Sequence, residues 1–220
     1  AKYDLGLVDQ RITPIDTIDR VVGSRDVVKL ATDIAEHAVT LVRDEDKLVP
    51  LKNLRPDARV FNLAITNGDD RNWIANAFVS KLNRSGVKVE TMVLDERSTD
   101  LEVQKAIEGA KSADLVLASL YGRVRSGQVS SVGIPDAGAL ALSGLIAAKT
   151  PMVGISFGNP YLLQSFPGLR TYLVAYGDMP SLQQAGARGL VGEIDVVGKL
   201  PISLPGLYPR GTGIQVQKTK

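Results

Sequence analysis

A chain of 220 residues is long enough for one α/β domain with trailing arms, and 44% hydrophobic with 23% charged residues lets it bury a core without difficulty. The formal charge of +2, from 26 basic and 24 acidic residues, is close to balance, and no Lys/Arg cluster stands out. Near-neutrality with only six Tyr and four Phe disfavours nucleic-acid binding, and the hydrophobic content disfavours disorder in the body of the chain.

Residues 1–24 alternate short apolar groups with Asp, Arg and Thr around Pro14, and read as an extended connector arriving from something upstream. The opening Ala1 to Gly6 lacks an initiator Met and reads as a processed or excised start, although Met removal before Ala1 would look the same. Val27, Leu30, Ala31, Ile34 and Ala38 then follow helical spacing from Asp26 to Ala38. A β-rich run at Val39 to Val42 comes next, and Leu48-Val49-Pro50-Leu51 closes it before a polar turn.

From there the pattern becomes regular. Strands are expected at Arg59–Ile65, Val87–Leu94, Asp114–Leu120, Pro151–Phe157 and Thr171–Tyr176. These runs are apolar without clean alternation, as parallel strands covered on both faces should be. Helices are expected between and after them, at Asp70–Arg84, Asp100–Lys111, Pro135–Lys149 and Pro180–Val191. Thr99 and Glu102 have capping-box spacing, Pro135 suits a first helical turn, and Gly86 suits a left-handed C-terminal cap.

Such β–α alternation predicts a three-layer α/β sandwich with a mostly parallel sheet and helices on both faces, flavodoxin-like or Rossmann-like. The organisation is then a connector at 1–24, the sandwich at 25–205 and a turn-rich surface tail at 206–220. The strand C-termini should share one edge, carrying the loops Thr66–Asp70, Asp95–Thr99, Tyr121–Ile134, Gly158–Pro160 and Gly177–Pro180, where any ligand or partner belongs.

Several chemistries are excluded by residue type. There is no Cys, so disulfides, thiolate catalysis and Cys-ligated metals are absent, although this chooses no compartment: cytoplasmic and exported bacterial proteins both fit. With one histidine, His37, no zinc site can be built on paired histidines, and His37 itself reads as a helix-end residue. No apolar run reaches the length of a membrane span, and no signal peptide opens the chain.

The first β–α junction, Thr66-Asn67-Gly68-Asp69-Asp70, has one glycine and two carboxylates, the opposite of a pyrophosphate cradle. The run from Gly192 to Gly198-Lys199-Leu200 fails as a phosphate loop, with one residue too many and Leu in place of the hydroxyl. Gly154-Ile155-Ser156-Phe157-Gly158 has the letters of a nucleophile elbow, but the strand is expected to continue through Phe157. No cofactor or metal is expected. Asp69, Asp70 and Asp178 lie on the functional edge and could face a sugar, although helix caps and turns use the same residues.

Several stretches resemble the second, C-terminal domain of glycoside hydrolase family three. Ala38-Val39-Thr40-Leu41-Val42-Arg43-Asp44 with Leu48-Val49-Pro50-Leu51 resembles its opening, and Leu5-Gly6-Leu7 the connector before it. Gly154 to Leu163 (Gly-Ile-Ser-Phe-Gly-Asn-Pro-Tyr-Leu-Leu) is similar to its strand-and-turn motif, and Tyr172-Leu173-Val174-Ala175-Tyr176-Gly177 to the next strand. Gly198-Lys199-Leu200-Pro201-Ile202-Ser203-Leu204-Pro205 and Tyr208-Pro209-Arg210-Gly211 are similar to its close.

The resemblance implies a partner, an upstream (β/α)₈ barrel bearing the aspartate nucleophile and most sugar contacts. It also implies, in many members, a glutamate acid/base on the loop after the third main strand. Here that loop, Tyr121–Ile134, holds no carboxylate. This points to the β-N-acetylhexosaminidase-like branch, where a His/Asp pair on a barrel loop transfers the proton and the present domain is non-catalytic. Arg123 and Arg125 would then meet barrel carboxylates or a sugar or peptide substituent, or remain solvated, and Asn159 with Pro160 would shape a turn and cap the next helix. Two rivals stand beside this reading: a β-glucosidase domain supplying its acid from Asp69 or Asp70, and a free-standing flavodoxin-like ligand-binding module.

Overall fold

A computed structural model describes residues 1–9, 15–52, 54–55, 57–127 and 132–219. Pro14 of the connector, residues 128–131 of the edge loop after the third main strand, and Lys220 lie outside the described residues. The chain divides into two compact units, 1–34 and 35–220. In the first unit residues 15–21 are not extended, as expected from sequence, but form helix α1 (Ile15–Val21). Helix α2 (Arg25–Ala38) follows the expected spacing; Val27, Leu30 and Ile34 of its stripe are exposed.

The second unit holds one six-stranded sheet: β1 (Thr40–Asp44), β2 (Val60–Thr66), β3 (Val89–Leu94), β4 (Leu115–Tyr121), β5 (Met152–Ser156) and β6 (Thr171–Val174). Its order is β1-β6-β5-β4-β2-β3, and all neighbours are parallel except β1 with β6. Counted from β2, the parallel strands run second-first-third-fourth-fifth, the flavodoxin-like order, with the reversal between β2 and β4. β1 is an antiparallel strand added at the edge.

The helices are α3 (Asn76–Arg84), α4 (Asp100–Lys111), α5 (Asp136–Ala147), α6 (Leu162–Ser165) and α7 (Pro180–Leu190). Helices α3 and α7 pack together on one face, where Phe78, Leu82, Leu182 and Leu190 meet Ala64, Leu117, Ile155 and Leu173 of the sheet. Helices α4 and α5 pair on the other face, where Val103, Ala106, Leu142 and Leu145 meet Leu63, Ile65, Val116 and Leu120. The three-layer sandwich is thus present, with strands β2 and β4 buried along their whole length. Two clusters of this kind account for why the central strands read as unbroken apolar runs.

The local signals act as their chemistry requires. Thr99 accepts from the Glu102 amide while Glu102 accepts from the Thr99 amide, a complete capping box on α4. Gly86 follows α3 at φ +89°, a conformation that glycine alone adopts without strain. Pro135 caps α5 from just outside, rather than sitting in its first turn. The segment at 206–219 lies mostly at the surface but is hydrogen-bonded to the body: the Ile214 amide donates to Leu41, Val216 exchanges bonds with Val196, and the Thr219 amide donates to Gly192.

Candidate functional site

The C-terminal ends of β2, β4, β5 and β6 converge as topology demands, and five of the six candidate residues meet through direct contacts around the switch point between β2 and β4. Arg123, two residues beyond β4, sends Nε to the Asp178 carboxylate and Nη2 to the Asp70 carboxylate. One guanidinium therefore joins the loops after β2, β4 and β6. Arg125 donates from Nη1 to the Asn67 carbonyl and lies 3.9 Å from Asp69 and 3.8 Å from Glu96. Asn159, after β5, reaches the same loop from the other side.

Asp70 is the most constrained carboxylate of this group. Thr66 Oγ1 donates to its Oδ1 at 3.1 Å, and its backbone carbonyl accepts from the amides of Trp73 and Ile74 at 3.0 Å. Residues 71–75 consequently form turns, and α3 begins at Asn76, not at Asp70 as expected from the sequence. Burial alone would raise the Asp70 carboxyl; the hydrogen bond and charge of Arg123, with the Thr66 hydroxyl, more than offset it and leave it below its ordinary value.

Sequence reasoning missed two contributors. Asn67 was seen only as part of an unsuitable phosphate loop, yet its buried amide bonds to residues 56 and 66 positions away, Arg123 and Gly133. Asp95, whose side chain is only 2% exposed, accepts from Arg71 at 3.2 Å and from two Arg97 nitrogens at 3.1 and 2.8 Å. Burial pushes its carboxyl up; the bonds and charges of Arg97 and Arg71 bring it below the usual range. Asp95-x-Arg97 at a strand end was the available signal for this pair.

Ser156 is fully buried at the end of β5, and its Oγ donates to the Asn159 carbonyl at 2.9 Å. The Phe157 amide still bonds to Leu120 at 2.8 Å, so the serine is inside the ladder and not at a nucleophile elbow. The next residue, Gly158, passes so close to β4 that a Cβ there would overlap the Gly122 carbonyl oxygen. Because the obstacle is backbone, Gly158→Ala is expected to lower stability by about 1–3 kcal/mol, read as a fall in urea midpoint at unchanged m-value. An unchanged midpoint would mean the two loops are not held together.

Among the described residues, no group of three or more His, Cys, Asp or Glu is placed to hold a metal ion, and no helix is long and apolar enough to cross a membrane. At this edge Asp70, Asp95 and Asp178 accept hydrogen bonds from arginines, whereas Asp69 is largely exposed, and two asparagines flank the group. Among the described residues that arrangement ties the loops after β2, β4 and β6 together.

Comparison with solved structures fits this geometry. A β-glucoside phosphorylase, BglX, superposes with a TM-score of 0.72 at 26% identity over 94% of this chain and 37% of its own. A glycoside hydrolase family 3 β-N-acetylglucosaminidase from Paenibacillus sp. strain FPU-7 gives 0.67 at 21% identity, over 83% of this chain and 34% of its own. The chain resembles in fold a domain found within such proteins, glycoside hydrolase family 3 among them. A Listeria innocua β-glucosidase in complex with isofagomine has the same fold, with a TM-score of 0.68 at 17% identity over 93% of the domain and 31% of its own chain. The chain spans about a third of the length of each of these three structures. No family model and no curated protein sequence matches it.

Proposed function

We propose that this domain is the non-catalytic C-terminal partner of a (β/α)₈ barrel, and that the joined enzyme is an exo-acting β-glycosidase of the β-N-acetylhexosaminidase kind. In this reading the barrel performs hydrolysis with retention through a covalent glycosyl–enzyme intermediate. The present domain contributes its switch-point edge, with Asp69, Asp70, Arg123, Arg125, Asn159 and Asp178 facing the barrel and the sugar. One observation carries it: the Asp70 and Asp178 carboxylates both accept from Arg123. A general acid needs a carboxyl held above its ordinary value, whereas Asp70 is held below it, and the loop 121–134 has no carboxylate.

The domain alone should therefore leave nitrophenyl β-glucoside and nitrophenyl N-acetyl-β-glucosaminide uncleaved, while the joined enzyme cleaves the latter. Turnover by the isolated domain that is abolished by Asp69→Asn or Asp70→Asn would overturn this reading in favour of a β-glucosidase domain carrying its own acid. A second reading is supported by the 26% identity to a β-glucoside phosphorylase, the highest of the three similarities above. Repeating the joined-enzyme assay with inorganic phosphate separates them, because a phosphorylase would yield sugar 1-phosphate in place of free sugar.

A further inference from the structure

Strand β2 runs out into Asn67-Gly68, the one Asn-Gly step in the chain. Such a pair is chemically labile, because glycine has no Cβ to keep its amide nitrogen away from the asparagine Cγ. In the reaction the Gly68 nitrogen bonds to Asn67 Cγ and the Cγ–Nδ2 bond breaks. Nδ2 leaves as ammonia, carrying the proton that Gly68 gives up through solvent. The succinimide ring then takes up one water and opens at either of its C–N bonds, to aspartate or isoaspartate. One water is consumed, one ammonia is released, and nothing is oxidised or reduced.

The fold engages both reacting groups elsewhere. Asn67 is 1% exposed. Its Nδ2 donates to the carbonyls of Arg123 at 2.8 Å and Gly133 at 3.2 Å, and its Oδ1 accepts from the Arg123 amide at 3.1 Å. The Gly68 amide, which holds the attacking atom, donates to Thr66 Oγ1 at 3.0 Å, and that hydroxyl donates to Asp70 at 3.1 Å. The leaving group is thus tied to the loop after β4, and the nucleophile to the end of β2. Neither turns toward the other until this junction opens.

The same contacts account for so reactive a pair standing here. A Cβ at Gly68 would overlap Arg123 Nη1 and Asp70 Oδ1, so a larger residue displaces the fork that joins Asp70 to Asp178. Asn67 uses the donor and acceptor ends of its amide at once, which a carboxylate cannot do. Conversion to aspartate leaves the Arg123 and Gly133 carbonyls without those donors and adds a negative charge next to Asp69 and Asp70. Isoaspartate also inserts a carbon into the backbone. We propose that Asn67 is a deamidation site gated by the fold, where local opening of the β2–α3 junction becomes a one-way loss of the bonds between β2 and the loop after β4. This holds whatever the joined enzyme cleaves.

The 220-residue chain tests it without a substrate. Samples kept at mildly alkaline pH in buffer and in guanidinium chloride are digested, and each asparagine is followed by mass spectrometry, with isoaspartate separated by chromatography. In denaturant Asn67 should convert faster than every other asparagine; in buffer its conversion should be at least about a hundredfold slower. Arg123→Met, which frees the loop holding Asn67, should raise the rate in buffer about tenfold. Asn67→Asp, the product made by substitution, should speed amide exchange at 122–124 and 133–134 about tenfold, with β3 and α4 unchanged. Should either variant not fold, the two wild-type rates still decide the gating, and exchange in aged wild-type protein reads the consequence. Equal rates in buffer and denaturant overturn the gating. Faster conversion of another asparagine in denaturant overturns the site. Unchanged exchange once residue 67 is aspartate overturns the loss of the bonds between β2 and the loop.

Discussion

Phe157→Ala is expected to cost the domain about 3–5 kcal/mol, the range for emptying a fully buried aromatic site. Phe157 has no exposed surface and sits between two other rings: Tyr121 is stacked on it with centroids 5.0 Å apart, and Phe78 meets it edge-on at 5.2 Å. These three come from β4, the end of β5 and α3, so the cluster ties the switch-point strands to the helix layer above them. Loss of the ring removes transfer energy, leaves a cavity and breaks both aromatic contacts, each worth about 0.5–1.5 kcal/mol beyond area.

For a domain of this size the melting temperature should drop by roughly 6–20 °C, at about 2–4 °C per kcal/mol. Phe157→Leu keeps most of the volume and should lose much less. The cavity would also open beside the Tyr121 phenol, which burial pushes far above its ordinary value and which has no hydrogen-bond partner of good geometry. An alanine variant that melts within about 2 °C of wild type would show that the cluster closes over the gap or contributes little.

That cluster illustrates what the sequence could and could not disclose. Strands β2, β4, β5 and β6 were legible because helices cover both faces, which forces runs such as Val60–Thr66 and Leu115–Tyr121 to be apolar throughout. The α4 start was legible because a capping box is a local reciprocal bond between Thr99 and Glu102. Helix α3 starts later than the expected Asp70 because the conformation at Asp70 is bound up with Arg123, distant in sequence. Helix α1 escaped because Asp16, Thr17 and Asp19 read as connector. The antiparallel sense of β1 has no signal in a five-residue strand; it follows from its pairing with β6.

The candidate site divides along the same line. The edge loops follow from topology, so Asp69, Asp70, Arg123, Arg125, Asn159 and Asp178 could be placed there from the strand pattern alone. Who pairs with whom could not. For Arg123 the sequence suggests a barrel carboxylate, a sugar or solvent as neighbour, and it holds no sign of the bonds to Asp70 and Asp178. Asn67 enters the sequence reading only as part of the first β–α junction, since its bonds to Arg123 and Gly133 exist only once β4 lies beside β2.

Replacing Arg123 by Met should lower stability by about 2–3 kcal/mol at pH 7, below the roughly 3–5 kcal/mol for breaking a fully buried pair. The discount reflects solvent: the guanidinium side chain is 31% exposed, while Asp70 is 12% and Asp178 23% exposed. Met keeps the volume and the apolar stem, so the measured loss reports the bonds to the two carboxylates. Arg123→Lys separates charge from shape. A single ammonium cannot span both carboxylates as the fork does, so Lys should recover only part of the loss; full recovery would mean that charge alone holds the loops together.

The pH dependence carries its own sign. In the wild type the Asp70 carboxyl is lowered on folding, so its contribution is present above the ordinary carboxylate range and disappears as pH falls through its lowered native value. In Arg123→Met, burial is no longer opposed by the guanidinium, and the Asp70 carboxyl should rise above its ordinary value. Protonation then relieves the variant at a pH where the wild type is still losing nothing. The gap between the two should therefore be widest near neutrality and should close as pH falls through the ordinary carboxylate range. Urea unfolding of both proteins across that range reads it directly. A gap that stays constant with pH would place the cost of Arg123→Met in packing and remove the ion pair as the brace of these loops.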